Sequence, residues 1–482
     1  MIDINVKIHD KYSVEFKIGL KVKYPNLEKF AVNTWIFVPN SLDIDSQTYT
    51  KQQFYTDVKT NIRLITPRYP LASIVEQGAL PYENLKSAVE SITVDASPAN
   101  VAEYEYQIKM FAAIVKSALR EGIKHIKAAE SKDSALLCSE YLSSCRQIIA
   151  RYGGLKHSIN NTEVSGELLN YFNYGEEFIC SMMIGHLGKL HNELDNQLSN
   201  ETLSKIGKAI NDLIDYKRKM GYPEVSVEND SVNDEMVFRQ GVLKKYVESD
   251  LYLNAQVRKD GVLVEQIYYS LAAGLAMLFA TIVSFAFQRR FGSLTMPLFV
   301  ALILSYMLKD RIKELMRFYF AHRLGQKYFD NKTTLSIKNQ VIGNVREGVD
   351  FITDKQTPPE VREIRGRSHL VEAQNRIWNE KIILYRKSIT IDSEQLALCT
   401  PYYVDGLNDI TRLNFLSFTR QMDNPDVWLR LVSQDGELTG VSARKLYYIN
   451  IIMQFKWGDE VDYKRFRIAI NRNGISEIKE VK

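Results

Sequence analysis

Between Ile267 and Phe287 the chain reads IYYSLAAGLAMLFATIVSFAF, without one charged side chain. At ~1.5 Å per residue a helix of that length covers about 31 Å, one hydrocarbon thickness. Soluble cores rarely hold so long an uninterrupted run, so this segment predicts a transmembrane helix. A second stretch, FGSLTMPLFVALILSYML from Phe291 to Leu308, is also free of charge. Its Gly292 and Pro297 lie near the start. Proline in a first helical turn gives up only an amide that has no intrahelical partner, so Pro297 is compatible with a helix. The two stretches together predict a two-helix transmembrane hairpin over 267–308.

The flanks set the expected orientation. Arg258 and Lys259 precede the first stretch, and Lys309, Arg311, Lys313, Arg317 and Arg323 follow the second, against only Arg289 and Arg290 between them. Positive side chains near helix ends stay on the cytoplasmic side. Both termini are therefore expected in the cytoplasm, with the protein integral to a cytoplasmic membrane of bacterial type. Small residues recur every four positions at Ala272, Ala276, Ala280 and Ser284, and again at Ser293, Pro297, Ala301 and Ser305. Such stripes let helices approach closely, within the hairpin or between chains. Neither stretch contains an Asp, Glu, Lys, Arg or His, which argues against a proton or ion path through the hairpin alone.

The remainder belongs in water, since 45% apolar and 25% charged residues are ordinary globular values. A length of 482 residues implies several folded units. The expected class is a multidomain α+β membrane protein. A small N-terminal mixed β/α domain is placed at 1–95, because apolar and polar residues alternate over Ile2–Ile8 and Val14–Tyr24. The stretch FAVNTWIFVP in that domain is apolar on both faces and reads as a third strand. The spacing of Thr50 and Gln53 is that of a capping box and predicts a helix from about Lys51 to Ile65. An antiparallel helical bundle follows at 100–222, with Gly153, Gly154, Asn160 and Asn161 in its expected loops. Residues 223–235 read as an acidic linker, 236–266 as a helix leading to the membrane, 309–332 as a basic juxtamembrane helix, and 333–482 as a C-terminal β-rich domain. The N-terminus lacks the pattern of a secretory signal. Cys138, Cys145, Cys180 and Cys399 have no metal-ligand spacing and are expected as reduced thiols.

Motifs for chemistry are weak. Glycine-rich phosphate loops, nucleophile elbows and paired zinc-ligand motifs are absent from the sequence, so no cofactor is implied. His186, His191, Glu193 and Asp195 offer metal-ligand chemistry, but five residues on a helix turn His186 and His191 about 140° apart. Arg362, Arg365 and Arg367 crowd a presumed loop and are candidates for an anion or lipid headgroup, as are Lys309, Lys313 and Arg317. Trp35, Trp378, Trp428 and Trp457 read as core residues. Partners are expected to be the lipid bilayer and a protein, or a second copy of the chain. A net charge of +4 gives no support to nucleic acid. The leading functional expectation is a membrane-anchored scaffold or sensor with cytoplasmic binding domains. A membrane-tethered enzyme lacking a linear motif is one alternative, and an oligomeric pore lined by Ser270, Thr281, Ser284 and Ser305 is the other.

Overall fold

The computed structural model describes residues 2–23, 27–129, 131–160, 166–193, 199–292, 295–319, 329–377, 379–432 and 435–481. In chain order, strands β1 (Asp3–Ile8), β2 (Ser13–Lys21) and β3 (Leu27–Val38) precede helix α1 (Lys51–Asp57) and strand β4 (Val58–Leu64). Helices α2 (Leu80–Val94), α3 (Pro98–Ala128), α4 (Ser131–Asn160), α5 (Gly166–Glu193), α6 (Asn200–Lys219) and α7 (Asp230–Glu248) come next. Strand β5 (Asn254–Lys259) leads to helices α8 (Val262–Phe291) and α9 (Met296–Tyr319), followed by strands β6 (Asn331–Ile337) and β7 (Gln340–Ile352). Then come α10 (Pro359–Arg365), α11 (His369–Ile377), β8 (Lys381–Asp392) and α12 (Ser393–Cys399). The chain ends in β9 (Gly406–Asn414), β10 (Asp426–Val432), β11 (Leu438–Arg444), β12 (Tyr447–Trp457), β13 (Glu460–Asn471) and β14 (Gly474–Val481). This is a multidomain α+β protein with a mixed β/α start, a helical middle and a β-rich end. It divides into two compact units: Met1–Ile62 with Asn254–Cys399 and Asn408–Lys482, and Arg63–Leu253 with Thr400–Leu407.

In the first unit, β3 lies between β12 and β8 in an eight-stranded sheet of order β14-β13-β12-β3-β8-β7-β6-β5. The N-terminal and C-terminal segments thus build one sheet, with pairs such as Ile36 opposite Ile451 and Ile383. The two-faced apolar pattern of β3 follows from that position. Val32, Thr34 and Ile36 line one side of the sheet together with Phe16 and Ile18 of β2. Trp35 and Phe37 pack on the other side against Val361 of α10, Ile382 and Ile452. A strand covered on both faces loses the alternation that marks a half-exposed one. The smaller sheet has the order β1-β2-β9-β4, and Phe16 of β2 meets Phe466 of β13 edge to face at 6.1 Å.

Several local expectations are corrected. The Thr50–Gln53 capping box forms, yet α1 ends at Asp57 instead of Ile65. Val58 to Leu64 is a strand beside β9, so pairing within the sheet overrides the helical spacing. Residues 236–266 hold β5 between two helices, and the expected linker already contains the first turns of α7. Trp35 is buried and Trp457 stacks on Phe30, but Trp428 is 71% exposed on the two-stranded ribbon β10–β11. Trp378 lies outside the described residues.

The second unit is helical. Tyr152 of α4 stacks on Phe172 of α5 at 4.3 Å, and a Cβ at Gly175 would come within 2.7 Å of Ile108. Gly153 and Gly154 sit inside α4, not in a loop, and Asn160 is its last residue; Asn161 lies outside the described residues. Glycine at 153 permits close approach, since a Cβ there would meet Tyr216 Oη at 3.0 Å. The Tyr216 and Tyr222 hydroxyls donate to Glu176 at 2.6 and 2.7 Å, so this buried carboxylate ties α5 to α6 and the residues after it. Cys138, Cys145 and Cys180 are buried, and burial pushes the thiols of Cys145 and Cys180 up to about 12. They stay protonated and unreactive at neutral pH.

Glu248, at the end of α7, pairs with Lys116 of α3 and with Arg63 at 3.4 Å. Burial pushes its carboxyl upward, but the Lys116 hydrogen bond and the two cations outweigh that and hold it below its ordinary value. A carboxylate whose value is lower folded than unfolded stabilises above the unfolded value, and that stability is lost as pH falls through the folded one. The Tm of the Glu248→Gln variant should therefore sit below that of the parent at pH 7. The difference should shrink below about pH 4.3, read by circular dichroism melts in detergent.

Candidate membrane-anchoring site

Helices α8 and α9 are inserted into a strand pair. β5 and β6 are antiparallel neighbours from Asn254–Ser336 to Lys259–Asn331, and Asp260 N donates to Asp330 O at 3.1 Å just beyond them. The helical excursion therefore leaves and rejoins the sheet at one place. Gly261, with φ 71°, supplies the left-handed turn that starts α8.

Packing within the pair inverts the arrangement of a soluble helix. Ala272, Ala276, Ala301 and Ser305 are buried at the contact, while Ala280 and Ser284 are half-buried beside them. Large apolar side chains point outward instead: Leu271, Leu275, Leu278 and Ile282 of α8, and Phe299, Val300 and Leu304 of α9, are each more than half exposed. Among the described residues only α8 is long and apolar enough to cross a membrane, and its most apolar window is only 11% buried. A core helix of a soluble protein would be mostly buried there.

The expected second span is corrected in extent. Phe291 closes α8, which also takes up Arg289 and Arg290 in its last turn, so these are not in a connecting loop. Ser293, one of the expected stripe residues, lies outside the described residues. α9 begins at Met296 with Pro297 in its first turn, and its apolar part ends at Leu308, about 20 Å along the axis. The expected basic helix is the continuation of α9 to Tyr319; Arg323 lies outside the described residues.

Two contacts fix the register of the pair. Ser305 Oγ donates to Ala280 O at 3.4 Å, and the Arg317 guanidinium lies 4.7 Å from the centre of the Tyr269 ring. Lys309, one turn past Ser305, is thereby level with Ala276, and the basic half of α9 runs beside the first turns of the charge-free stretch of α8. Lys309 sits 3.9 Å over Tyr306, Lys313 is exposed, and Arg317 also reaches Glu314 at 3.6 Å. The hydroxyls of Ser270 and Thr281 donate to Gln266 O and Met277 O on their own helix, both at 2.9 Å. These donors are spent within α8.

The other sequence candidates do not converge. His186 donates from Nδ1 to Met182 O at 2.8 Å, and burial pushes its imidazole below the ordinary value, favouring the neutral ring. Glu193 pairs with Lys127, His191 is half-buried, and Asp195 lies outside the described residues. Among the described residues no group of His, Cys, Asp or Glu is placed to hold a metal ion. Arg362 and Arg365 belong to α10 and not to a loop. Arg365 is buried on Glu380 at 2.6 Å, and Arg367 spans Glu380 at 3.0 Å and Asp354 at 2.8 Å. Only Arg362 of the three is exposed. Carboxylates already occupy the forks that an anion would need.

A buried ionic cluster went unnoticed in the sequence. Lys387 of β8 donates to both oxygens of Asp409 at 2.9 and 2.8 Å and to Thr411 Oγ1 at 2.8 Å, with Glu347 at 3.6 Å. Tyr385 donates to Glu347 beside it. Burial pushes the Asp409 carboxyl above its ordinary value, and the Lys387 contact offsets that rise only in part. Lys387 and Asp409 border a cavity of about 30 Å³, enough for one or two waters. The signal was present as a lysine at an inward position of KIILYRKSITI, between Tyr385 and Ile389, which are both buried. Comparison with models of protein families, with curated proteins and with solved structures gave no match to this chain.

Proposed function

We propose that this protein is a membrane-anchored scaffold or sensor: α8 and α9 seat it in a bilayer, and its folded units bind a protein or ligand in the cytoplasm. The observation that carries this reading is the inverted packing of the hairpin, small residues inward and large apolar residues outward. Lipid supplies no hydrophobic drive to bury leucine, so close helix contact through alanine and serine is the arrangement that a bilayer favours. Departure and return at the β5–β6 pair require an even number of crossings. The surplus of Lys and Arg on the flanks supports a cytoplasmic common side.

In this reading Tyr269, Tyr306, Lys309, Lys313 and Arg317 meet the near headgroups, where each cation adds about 1 kcal/mol on an anionic surface. The stretch shared by both helices, from Lys309 to the tip, is shorter than the ~30 Å of an average hydrocarbon core. Bilayer thinning and extension of Arg289 and Arg290 toward the far headgroups close the difference, at fractions of a kcal/mol per Å.

Two measurements test the proposal. A single cysteine in place of Arg289 should react with an impermeant maleimide from outside the membrane, and one near the C-terminus only after permeabilisation. Protein purified in detergent should bring down a consistent partner. A partnerless monomer that turns over a substrate would replace this reading with a tethered enzyme.

A further inference from the structure

We propose that the uncharged face of the β10–β11 ribbon lies on the bilayer surface, as a second and peripheral contact beside the helical hairpin. The inference rests on the membrane-anchored reading, and its test separates the two.

The ribbon is two-faced. Its register sets Val427 opposite Ala443, Leu429 opposite Val441 and Leu431 opposite Thr439, so these six side chains share one face, and that face has no charge. Asp426, Trp428, Arg430, Ser442 and Arg444 belong to the other face, where Trp428 lies against Gly440. Every residue of β10 is exposed, and so is all of β11 except the half-buried Ala443. Among the described residues, then, nothing covers either face. A two-stranded ribbon is marginal in water unless something packs on its apolar side.

Register across the large sheet puts the ribbon and the hairpin at the same end of it. Lys259, where β5 gives way to α8, is opposite Asn331, which in turn is opposite Glu347 of β7. In that direction β7 runs on to Ile352, opposite Ile382 near the start of β8, which is opposite Phe37 near the end of β3. Phe37 is opposite Asn450 near the start of β12. The ribbon is rooted just beyond, where Lys445 N donates to Pro425 O at 2.7 Å and Tyr447 Oη donates to Asp423 at 3.0 Å. Helix α8 starts at Val262 and its charge-free stretch at Ile267, so in the anchored protein only about 8 Å of helix separates this end of the sheet from hydrocarbon. A ribbon of seven residue pairs is about 23 Å long, enough to reach across that distance.

Size decides between occupants. At the usual strand dimensions the apolar face covers about 230 Å². A stable protein interface needs ~800 Å² per partner, so this face alone would hold neither a second copy nor another protein. A bilayer sets no such minimum, because the hairpin already keeps the ribbon at its surface and the contact is in effect intramolecular. Asp426, Asp435 and Glu437 outnumber Arg430 and Arg444, so attraction to anionic lipid is not the drive and a zwitterionic surface suffices.

The test uses the full chain in phosphatidylcholine vesicles, in a Cys399→Ser background whose other cysteines are buried. A nitrobenzoxadiazole label is placed through Leu429→Cys, Ser442→Cys or Leu278→Cys. Nitroxide-bearing phosphatidylcholine should quench the Leu429 label at least twofold and leave the Ser442 label, on the opposite face, unchanged. Adding Leu431→Glu should remove the quenching at Leu429 without altering that at Leu278. A quenched Leu278 label beside an unquenched Leu429 label would overturn the proposal and leave the anchor standing. Equal quenching at Leu429 and Ser442 would also overturn it, since no single face would then meet lipid. Absence of quenching at Leu278 and Leu429 alike would sink the anchored reading and this inference with it. Pyrene labels at Leu429 that give excimer emission between chains would put a second copy on this face in place of lipid, against the proposal.

Discussion

Asp409→Ala is expected to cost about 3–5 kcal/mol, the usual effect of removing one partner from a buried ion pair. At the sensitivity of a unit of this size, that lowers its melting temperature by roughly 6–20 °C. The cause is the Lys387 ammonium, whose side chain is 2% exposed and which depends on both Asp409 oxygens. Thr411 and the more distant Glu347 at 3.6 Å do not replace a carboxylate at 2.8 Å. The double variant Lys387→Met/Asp409→Leu should return to within about 2 kcal/mol of the parent, because apolar residues of similar size avoid the desolvation cost of both charges. Melts by near-ultraviolet circular dichroism read both. An Asp409→Ala protein melting within about 2 °C of the parent would mean that cavity water, Thr411 and Glu347 satisfy the Lys387 ammonium without Asp409, and would overturn this expectation.

The legible features were those encoded by neighbours in sequence. The charge-free run became α8, the Thr50–Gln53 box capped a helix, and the Asn473–Gly474 pair, of the kind that favours tight hairpin turns, joins β13 to β14. Gly474 has φ 133° and a Cβ there would lie 2.5 Å from Lys11 O, so only glycine fits that turn without a shift. What stayed hidden depends on residues far apart in the chain. Nothing near Val58 announces β9, whose pairing turns a helical spacing into a strand. Nothing near Arg367 reveals that Asp354 and Glu380 consume its guanidinium. Lys387 finds Asp409 only because β8 and β9 belong to facing sheets, and Gly153 resembles a loop residue until Tyr216 arrives against it.

The sharpest discrimination of the membrane reading is expected from Leu278→Arg. Leu278 is 56% exposed in the middle of the charge-free stretch of α8, away from the buried Ala272 and Ala276. If that face lies in lipid, arginine there costs about 2.5–3.5 kcal/mol of insertion free energy, a loss of roughly 100-fold in the inserted-to-excluded ratio. Membrane-fraction yield should collapse, and the protein that remains should become extractable by carbonate. If the face instead meets water, an exposed Leu→Arg change falls within about 0.5 kcal/mol of neutral and improves solubility by breaking an apolar patch. The two environments thus give effects of opposite sign. Ile282→Arg should repeat the loss, whereas Lys313→Arg, at the expected headgroup level, should leave fractionation unchanged. A soluble, well-folded Leu278→Arg protein alongside a parent that aggregates without detergent would instead identify α8 as a surface awaiting a protein partner.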